Sequence, residues 1–212
     1  MRDFRLYAIT DERSHPGRDL AEVMEEAILG GADIVQLRDK HNDRAAVLER
    51  AKMLRKLTRK YNVPFIVNDY IDIALEVDAD GIHLGQGDTP LSVARKLVGR
   101  KIIGISTHAI EEALLAEQQG ADYIGVGPVY PTATKADAAP VTLSYVREAA
   151  AKIRIPFVAI GGIKLHNAEE VIAAGAKRIC AVTEIVGSPD VRGICEAFIR
   201  KLEQGGAIHG VS

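Results

Sequence analysis

The chain has 212 residues, with 27 Lys+Arg against 29 Asp+Glu for a formal charge of −2, and this near-balance argues against a generic polyanion binder. At 47% hydrophobic and 26% charged it falls in the ordinary globular range, which excludes a disordered or collagen-like chain. No apolar run approaches the roughly 18 residues of a membrane helix, and nothing after Met1-Arg2-Asp3-Phe4-Arg5 resembles a signal peptide, so a soluble, cytoplasmic protein is expected.

Short β-branched runs alternate with longer amphipathic ones. Strands are expected at 6–10, 34–37, 65–68, 81–84, 102–106, 123–126, 157–160 and 179–182. Helix-period segments fall between them at 20–29, 45–60, 91–98, 110–119, 145–152, 168–173 and 191–202, with room for only a short helix at 71–77. Strict alternation calls for a parallel sheet, and continuous apolar runs such as Phe65-Ile66-Val67 suit strands buried on both faces. Eight such units predict an α/β fold, a single (β/α)8 TIM barrel over 1–205 with a flexible tail at 206–212. An open doubly wound sheet is the alternative that the same alternation permits.

A weak repeat supports the count. Gly31-Ala32-Asp33, Asp78-Ala79-Asp80, Gly120-Ala121-Asp122 and Gly175-Ala176-Lys177 lead into the second, fourth, sixth and eighth strands. Glycine ends a helix in the left-handed region, so the repeat is structural in meaning. Cys180 and Cys195 lack CxxC spacing and read as reduced core thiols. The absence of Trp, with 5% aromatics, leaves little for stacking nucleic-acid bases.

Barrel enzymes carry their chemistry on the loops after the strands, and the polar residues fall there. Gly161-Gly162 after the seventh strand suits close approach of an anion to backbone amides, or is simply a turn. Arg38, Lys40 and Lys135 are each unremarkable surface charges; crowning one mouth with Asn68 and Ser106 as neutral donors, they suit a diphosphate. Asp69 and Asp88 stand just past adjacent strands about 4.8 Å apart and can converge on one cation. Two carboxylates beside a basic cluster are a Mg²⁺ arrangement, with helix capping by Asp69 and turn formation by Asp88 as the bland alternatives. The histidines lack an HxxxH pair. His83 reads as a hydrogen-bonded strand-end residue, His108 as a donor at the mouth, and His15 as loop or surface.

Seven motifs in order carry a resemblance over nearly the whole chain. They are Tyr7-Ala8-Ile9-Thr10-Asp11, Val35-Gln36-Leu37-Arg38-Asp39-Lys40, Val67-Asn68-Asp69, His83-Leu84-Gly85-Gln86-Gly87-Asp88, Gly104-Ile105-Ser106-Thr107-His108, the run from Asp122 through Gly127-Pro128-Val129-Tyr130-Pro131-Thr132-Ala133-Thr134-Lys135, and Ala159-Ile160-Gly161-Gly162-Ile163. With these the chain resembles the thiamine phosphate synthase family, which also contains thiazole tautomerase. The resemblance implies a transferase that couples 4-amino-2-methyl-5-hydroxymethylpyrimidine diphosphate with a (carboxy)thiazole phosphate, releasing diphosphate and CO₂. It implies Mg²⁺ on Asp69 and Asp88, diphosphate contacts from Arg38, Lys40, Asn68, Ser106 and Lys135, and an aminopyrimidine contact from Gln36. Arg38, Lys40, Ser106 and Lys135 are the implied catalytic groups. Thr132, Thr134, Gly162, Val182 and Thr183 would surround the thiazole phosphate.

Departure of diphosphate leaves a cation spread into the aminopyrimidine, so the main task is to stabilise the leaving group, and no protein nucleophile is needed. The segment 131–142, rich in Ala, Thr and Pro, reads as a lid against water. One departure stands out: Thr183-Glu184 occupies the place of the family's Ser-Ala, and Glu184 should repel a phosphate unless it points away or pairs with Lys164 or Arg178. The tautomerase branch needs no metal carboxylates; a non-catalytic sensing barrel or a sugar-phosphate epimerase are rivals from other classes. The expected partners are the two small-molecule substrates, with no nucleic acid and no membrane. The sequence leaves the oligomeric state open, a homodimer included.

Overall fold

The computed structural model describes residues 4–132 and 139–209, apart from the side chains of Glu12 and 206–209. Eight parallel strands close in sequence order into one barrel: β1 Leu6–Ile9, β2 Ile34–Leu37, β3 Phe65–Asn68, β4 Gly81–Leu84, β5 Ile102–Thr107, β6 Tyr123–Val126, β7 Phe157–Ile160 and β8 Ile179–Cys180. β8 pairs with β1 through Leu6 opposite Ile179 and Tyr7 opposite Cys180, so the open doubly wound alternative is removed. The helices are α1 Leu20–Leu29, α2 Arg44–Tyr61, α3 Ile71–Glu76, α4 Leu91–Val98, α5 Ile110–Gln118, α6 Thr142–Lys152, α7 Ala168–Ala173, α8 Val182–Val186 and α9 Val191–His209.

Local sequence explains the best-formed helices. The Asp19 carboxylate accepts from the Glu22 amide and that of Asp43 from the Ala46 amide, each capping donors that lack an intrahelical partner. Such caps contribute about 1 kcal/mol each. Asn62 ends α2 in the left-handed region, at φ 54°.

Several boundaries differ from the sequence reading, α6 for instance beginning at Thr142 rather than at Tyr145. The eighth strand stops at Cys180, and Val182 opens the short helix α8, because the chain turns at Ala181 rather than following its apolar run. β5 extends one residue further, to Thr107, and α9 continues to His209, into the segment read as a tail.

Two apolar layers meet at the strands. Leu6, Ala8, Val35, Leu37, Phe65, Val67, Ile82, Leu84, Ile103 and Ile105 pack outward against the helices. Tyr7, Ile9, Ile34, Ile66, Tyr123, Val158 and Cys180 fill the barrel. The same alternation turns Gln36, Asn68, His83 and Ser106 toward the barrel axis. Gly104 makes room for the largest of these groups, since a Cβ there would lie 2.1 Å from the Tyr123 ring.

The repeated triplets close the opposite end of the barrel. Asp33 accepts the Arg5 and Leu6 amides, Asp80 that of Phe65, and Asp122 that of Ile103, so each acid grips the start of the preceding odd strand. The fourth triplet carries Lys177 instead. There Glu117 takes the Arg154 and Ile155 amides just ahead of β7.

Candidate active site

A cavity of about 840 Å³, including its open mouth, lies at the C-terminal ends of the strands. Gln36, Arg38, Asn68, Ser106, Thr132, Gly162, Val182 and Thr183 all line it, so eight of the expected substrate-binding residues share one space. Thr134 and Lys135 lie outside the described residues, as does half of the segment read as a lid.

The rim after β2 is built by its own loop. Arg38 donates its amide to Thr10 Oγ1 at 2.9 Å, and Thr10 Oγ1 donates to the Arg38 carbonyl at 3.1 Å, which fixes where the loop leaves the barrel. Asp39 accepts the amides of His41 and Asn42, each at 3.1 Å, and is ion-paired with Arg50. Burial works against a charged Asp39, but the amides of His41 and Asn42, the Asn42 side chain and Arg50 outweigh it and hold the carboxyl below its usual value. Lys40 follows in the same loop, with Nζ 3.0 Å from Asp69 Oδ2.

Asp69 sits at φ 64°, left-handed backbone that few non-glycine residues adopt. Its amide donates to the His83 carbonyl at 3.0 Å, holding the end of β3 on β4. The capping alternative does not apply, since Tyr70 precedes α3 and no side chain caps that helix. Burial raises the Asp69 carboxyl above the usual range, Lys40 draws it back, and the neighbouring Asp88 carboxylate pushes it up again. Two like charges held together beside one lysine leave hard oxygen donors suited to a divalent cation. The turn reading of Asp88 is borne out: Oδ2 accepts the Gly85 amide at 2.6 Å, so one oxygen fixes the turn. Among the described residues no group of three or more His, Cys, Asp or Glu could hold a metal, so a cation at Asp69 and Asp88 would need ligand oxygens and water to complete its shell.

On the other side, Gly161 and Gly162 have φ of 98° and 64°. A Cβ on Gly162 would lie 2.7 Å from the Pro131 carbonyl and 2.7 Å from Tyr130 Cβ. The pair is therefore required by the crossing of the loop after β6 as well as by any anion. Asn167 braces the loop after β7, donating to the Gly162 carbonyl at 3.1 Å and accepting the Lys164 amide at 2.8 Å. Glu184 points into the same loop, accepting the Leu165 amide at 3.3 Å. The carboxylate that departs from the family pattern thus has a backbone partner.

Sequence reasoning missed Tyr7 and Tyr123. Both are buried inside the barrel, with hydroxyls 2.8 Å apart, and they link Gln36 to His83. Their signal was strand parity: Tyr7, Gln36, His83, Ser106 and Tyr123 all fall on inward positions. His83 is hydrogen-bonded, as expected of a strand-end residue. His108 reaches the mouth with Nδ1 2.5 Å from the Gly127 carbonyl. His15, read as loop or surface, lies in a loop but is buried, with neither ring nitrogen hydrogen-bonded among the described residues.

A closed parallel barrel with a polar, charged rim at the strand ends defines the general class, a barrel enzyme with its chemistry on the βα loops. The family model described as Thiamine monophosphate synthase matches residues 6–185. The thiamine-phosphate synthase of Halalkalibacterium halodurans is 64% identical over 208 residues, 97% of this chain and 99% of that protein. That of Shouchella clausii is 60% identical over 206 residues, 96% of this chain and 99% of that protein. The solved structure of thiamine phosphate pyrophosphorylase from Pyrococcus furiosus has a TM-score of 0.88 at 42% identity, covering 95% of this chain and 96% of that one. The chain belongs to the thiamine monophosphate synthase family, and it is an enzyme of the transferase class.

Proposed function

We propose that this enzyme is a thiamine-phosphate synthase that joins 4-amino-2-methyl-5-hydroxymethylpyrimidine diphosphate to a thiazole phosphate or its carboxylated form. The products are thiamine phosphate and diphosphate, with CO₂ from the carboxylated substrate. The observation that carries this reading is the gathering of Lys40, Asp69 and Asp88, with Asp69 next in the chain to Asn68, which lines the cavity together with Arg38 and Ser106. An isomerase acting on a single sugar phosphate has no use for so many charges of both signs.

In this reading Arg38, Lys40, Asn68 and Ser106 bind the diphosphate and stabilise the charge it gains as the C–O bond breaks. Asp69 and Asp88 would hold Mg²⁺, which neutralises part of that charge when bound. Gln36 receives the aminopyrimidine, and Thr132, Gly162, Val182 and Thr183 surround the thiazole phosphate. Lys135 and Thr134 are assigned to the diphosphate and the thiazole phosphate by family resemblance. The thiazole nitrogen then attacks the pyrimidine cation, and holding both rings in one cavity lowers the barrier through orientation. No protein nucleophile is called for: burial pushes the Cys180 thiol up and keeps it protonated. Both substrates are charged metabolites, which fits work in the cytoplasm.

The test is product analysis after incubation with both substrates and Mg²⁺. Thiamine phosphate and diphosphate in equal amounts support the reading. Rearrangement of the thiazole phosphate without coupling would replace it with the tautomerase activity.

A further inference from the structure

A hydrogen-bonded chain crosses the barrel interior and joins two residues of the mouth. Gln36 Nε2 donates to Tyr7 Oη at 2.8 Å, Tyr7 Oη lies 2.8 Å from Tyr123 Oη, Tyr123 Oη 2.9 Å from His83 Nδ1, and His83 Nε2 2.9 Å from Ser106 Oγ. The links come from β2, β1, β6, β4 and β5 in turn. The three inner members, Tyr7, Tyr123 and His83, are buried, and the two end members, Gln36 and Ser106, both line the cavity. Burial pushes both tyrosine hydroxyls well above their ordinary range, so the chain is built of neutral groups.

Counting protons ties the direction of every link to the way the Gln36 amide faces. An amide nitrogen only donates, so Tyr7 accepts from Gln36 and gives its own proton to Tyr123. Tyr123 then donates to His83 Nδ1, which must be the bare ring nitrogen. His83 Nε2 carries the hydrogen and donates it to Ser106 Oγ, and the Ser106 proton is left for the cavity. Turning the Gln36 amide over reverses every link, and Ser106 then gives its proton to His83 instead. A mixed arrangement strands a buried hydroxyl proton, at a cost of roughly 1–3 kcal/mol.

The direction also decides what Gln36 offers a ligand. With Nε2 given to Tyr7, Oε1 takes no hydrogen bond among the described residues and is an acceptor. It suits an exocyclic amino group and opposes a carbonyl. We propose that Tyr7, Tyr123 and His83 are positioning residues that make Gln36 select a 4-amino over a 4-oxo pyrimidine diphosphate while keeping the Ser106 hydroxyl a donor to the leaving group. A 4-oxo substrate asks for the reversed amide, and that reversal removes the Ser106 donor. Discrimination at the ring and assistance at the diphosphate are thus one property. This inference rests on the coupling reaction proposed above.

The test compares kcat/KM for the 4-amino and 4-oxo forms of 2-methyl-5-hydroxymethylpyrimidine diphosphate, at saturating thiazole phosphate and Mg²⁺. A site built on such hydrogen bonds should favour the amino form by roughly 10³-fold or more. Tyr123→Phe keeps the ring and removes the link; the preference should fall by about tenfold or more, with kcat for the amino form lower by about tenfold. Ser106→Ala should lower kcat as well, and adding Tyr123→Phe to it should cost nothing further in kcat. Tyr7→Phe breaks the adjacent link and should show the same loss of preference, which keeps the test open if Tyr123→Phe does not fold. An unchanged amino preference in a folded Tyr123→Phe or Tyr7→Phe enzyme overturns the inference, as do losses that multiply in the Tyr123→Phe/Ser106→Ala pair. A parent enzyme that forms no thiamine phosphate from the amino substrate overturns the functional reading instead.

Discussion

Replacing Asp69 by Asn should separate catalysis from stability. The Asp69 side chain is 24% exposed, pairs with Lys40 at 3.0 Å and has left-handed backbone, which Asn adopts as readily as Asp. Burial, with Asp88 adding to it and Lys40 opposing it, leaves the carboxyl above its usual value. An acid with a raised folded pKa holds its proton more tightly folded than unfolded. Its contribution is therefore most favourable below the unfolded value of about 3.9, is lost as pH rises to the folded value, and is a constant penalty beyond it. At neutral pH the asparagine escapes that penalty but forgoes an ion pair worth about 0.2–1 kcal/mol. These two effects oppose each other, so Tm should stay within about 3 °C of the parent. Turnover should not survive so well. A metal-facing carboxylate that supports several kcal/mol of charge stabilisation, reduced by about 3–4 kcal/mol, lowers kcat by roughly 10²–10³. The assay is coupling rate against Mg²⁺ concentration, with calorimetric Tm measured with and without Mg²⁺. Binding to the folded state should raise the parent's Tm and leave the variant's nearly unmoved. A variant within about threefold of parental kcat, or with an equal Mg²⁺-dependent rise in Tm, would refute the two-carboxylate site.

Lys40→Ala should raise KM for the pyrimidine diphosphate about 10–100-fold, the equivalent of a charge-assisted bond of about 1.5–3 kcal/mol; an unchanged KM in steady-state assays counts against that contact. Gly162→Ala meets both a left-handed φ of 64° and contacts at 2.7 Å with the loop after β6, so calorimetry should show weaker thiazole phosphate binding together with a lower Tm, and a lower affinity at parental Tm would place the effect on the anion alone. Asp122→Ala leaves the Ile103 amide without its carboxylate and Arg95 without its ion-pair partner; a loss of about 1–3 kcal/mol in denaturant unfolding is expected, with kcat little changed because the residue lies at the end of the barrel away from the mouth.

The barrel was legible because most strands are short continuous apolar runs and the longer helices carry their own period, with side-chain caps on α1 and α2. β8 was the exception: its apolar run continues into Val182, and only the turn at Ala181 separates strand from helix. The site was legible where residue type and place after a strand coincide, as for Arg38, Lys40, Asn68, Asp69 and Ser106. It was hidden where the decisive property is pairing across the barrel. Tyr7 and Tyr123 are 116 residues apart, and nothing in either local sequence says that their hydroxyls meet. Glu184 belongs to the same category, since the Leu165 amide that takes its carboxylate is 19 residues away on another loop.

The acids that grip the strand starts also suggest an order of assembly. Asp33, Asp80 and Asp122 reach back 27, 15 and 19 residues, each clasping a strand to the neighbour that follows it in the chain. Contacts of such short separation close loops cheaply and form early. The β7–β8 pair has Lys177 where the clasp would be and borrows Glu117 from 38 residues before Ile155. Three quarters of the barrel are thus latched from within, and the last quarter is latched only by its neighbour. The seam of the cylinder falls there, beside the loop that carries Gly161 and Gly162, so the half of the mouth assigned to the thiazole phosphate is the half whose formation waits on the rest.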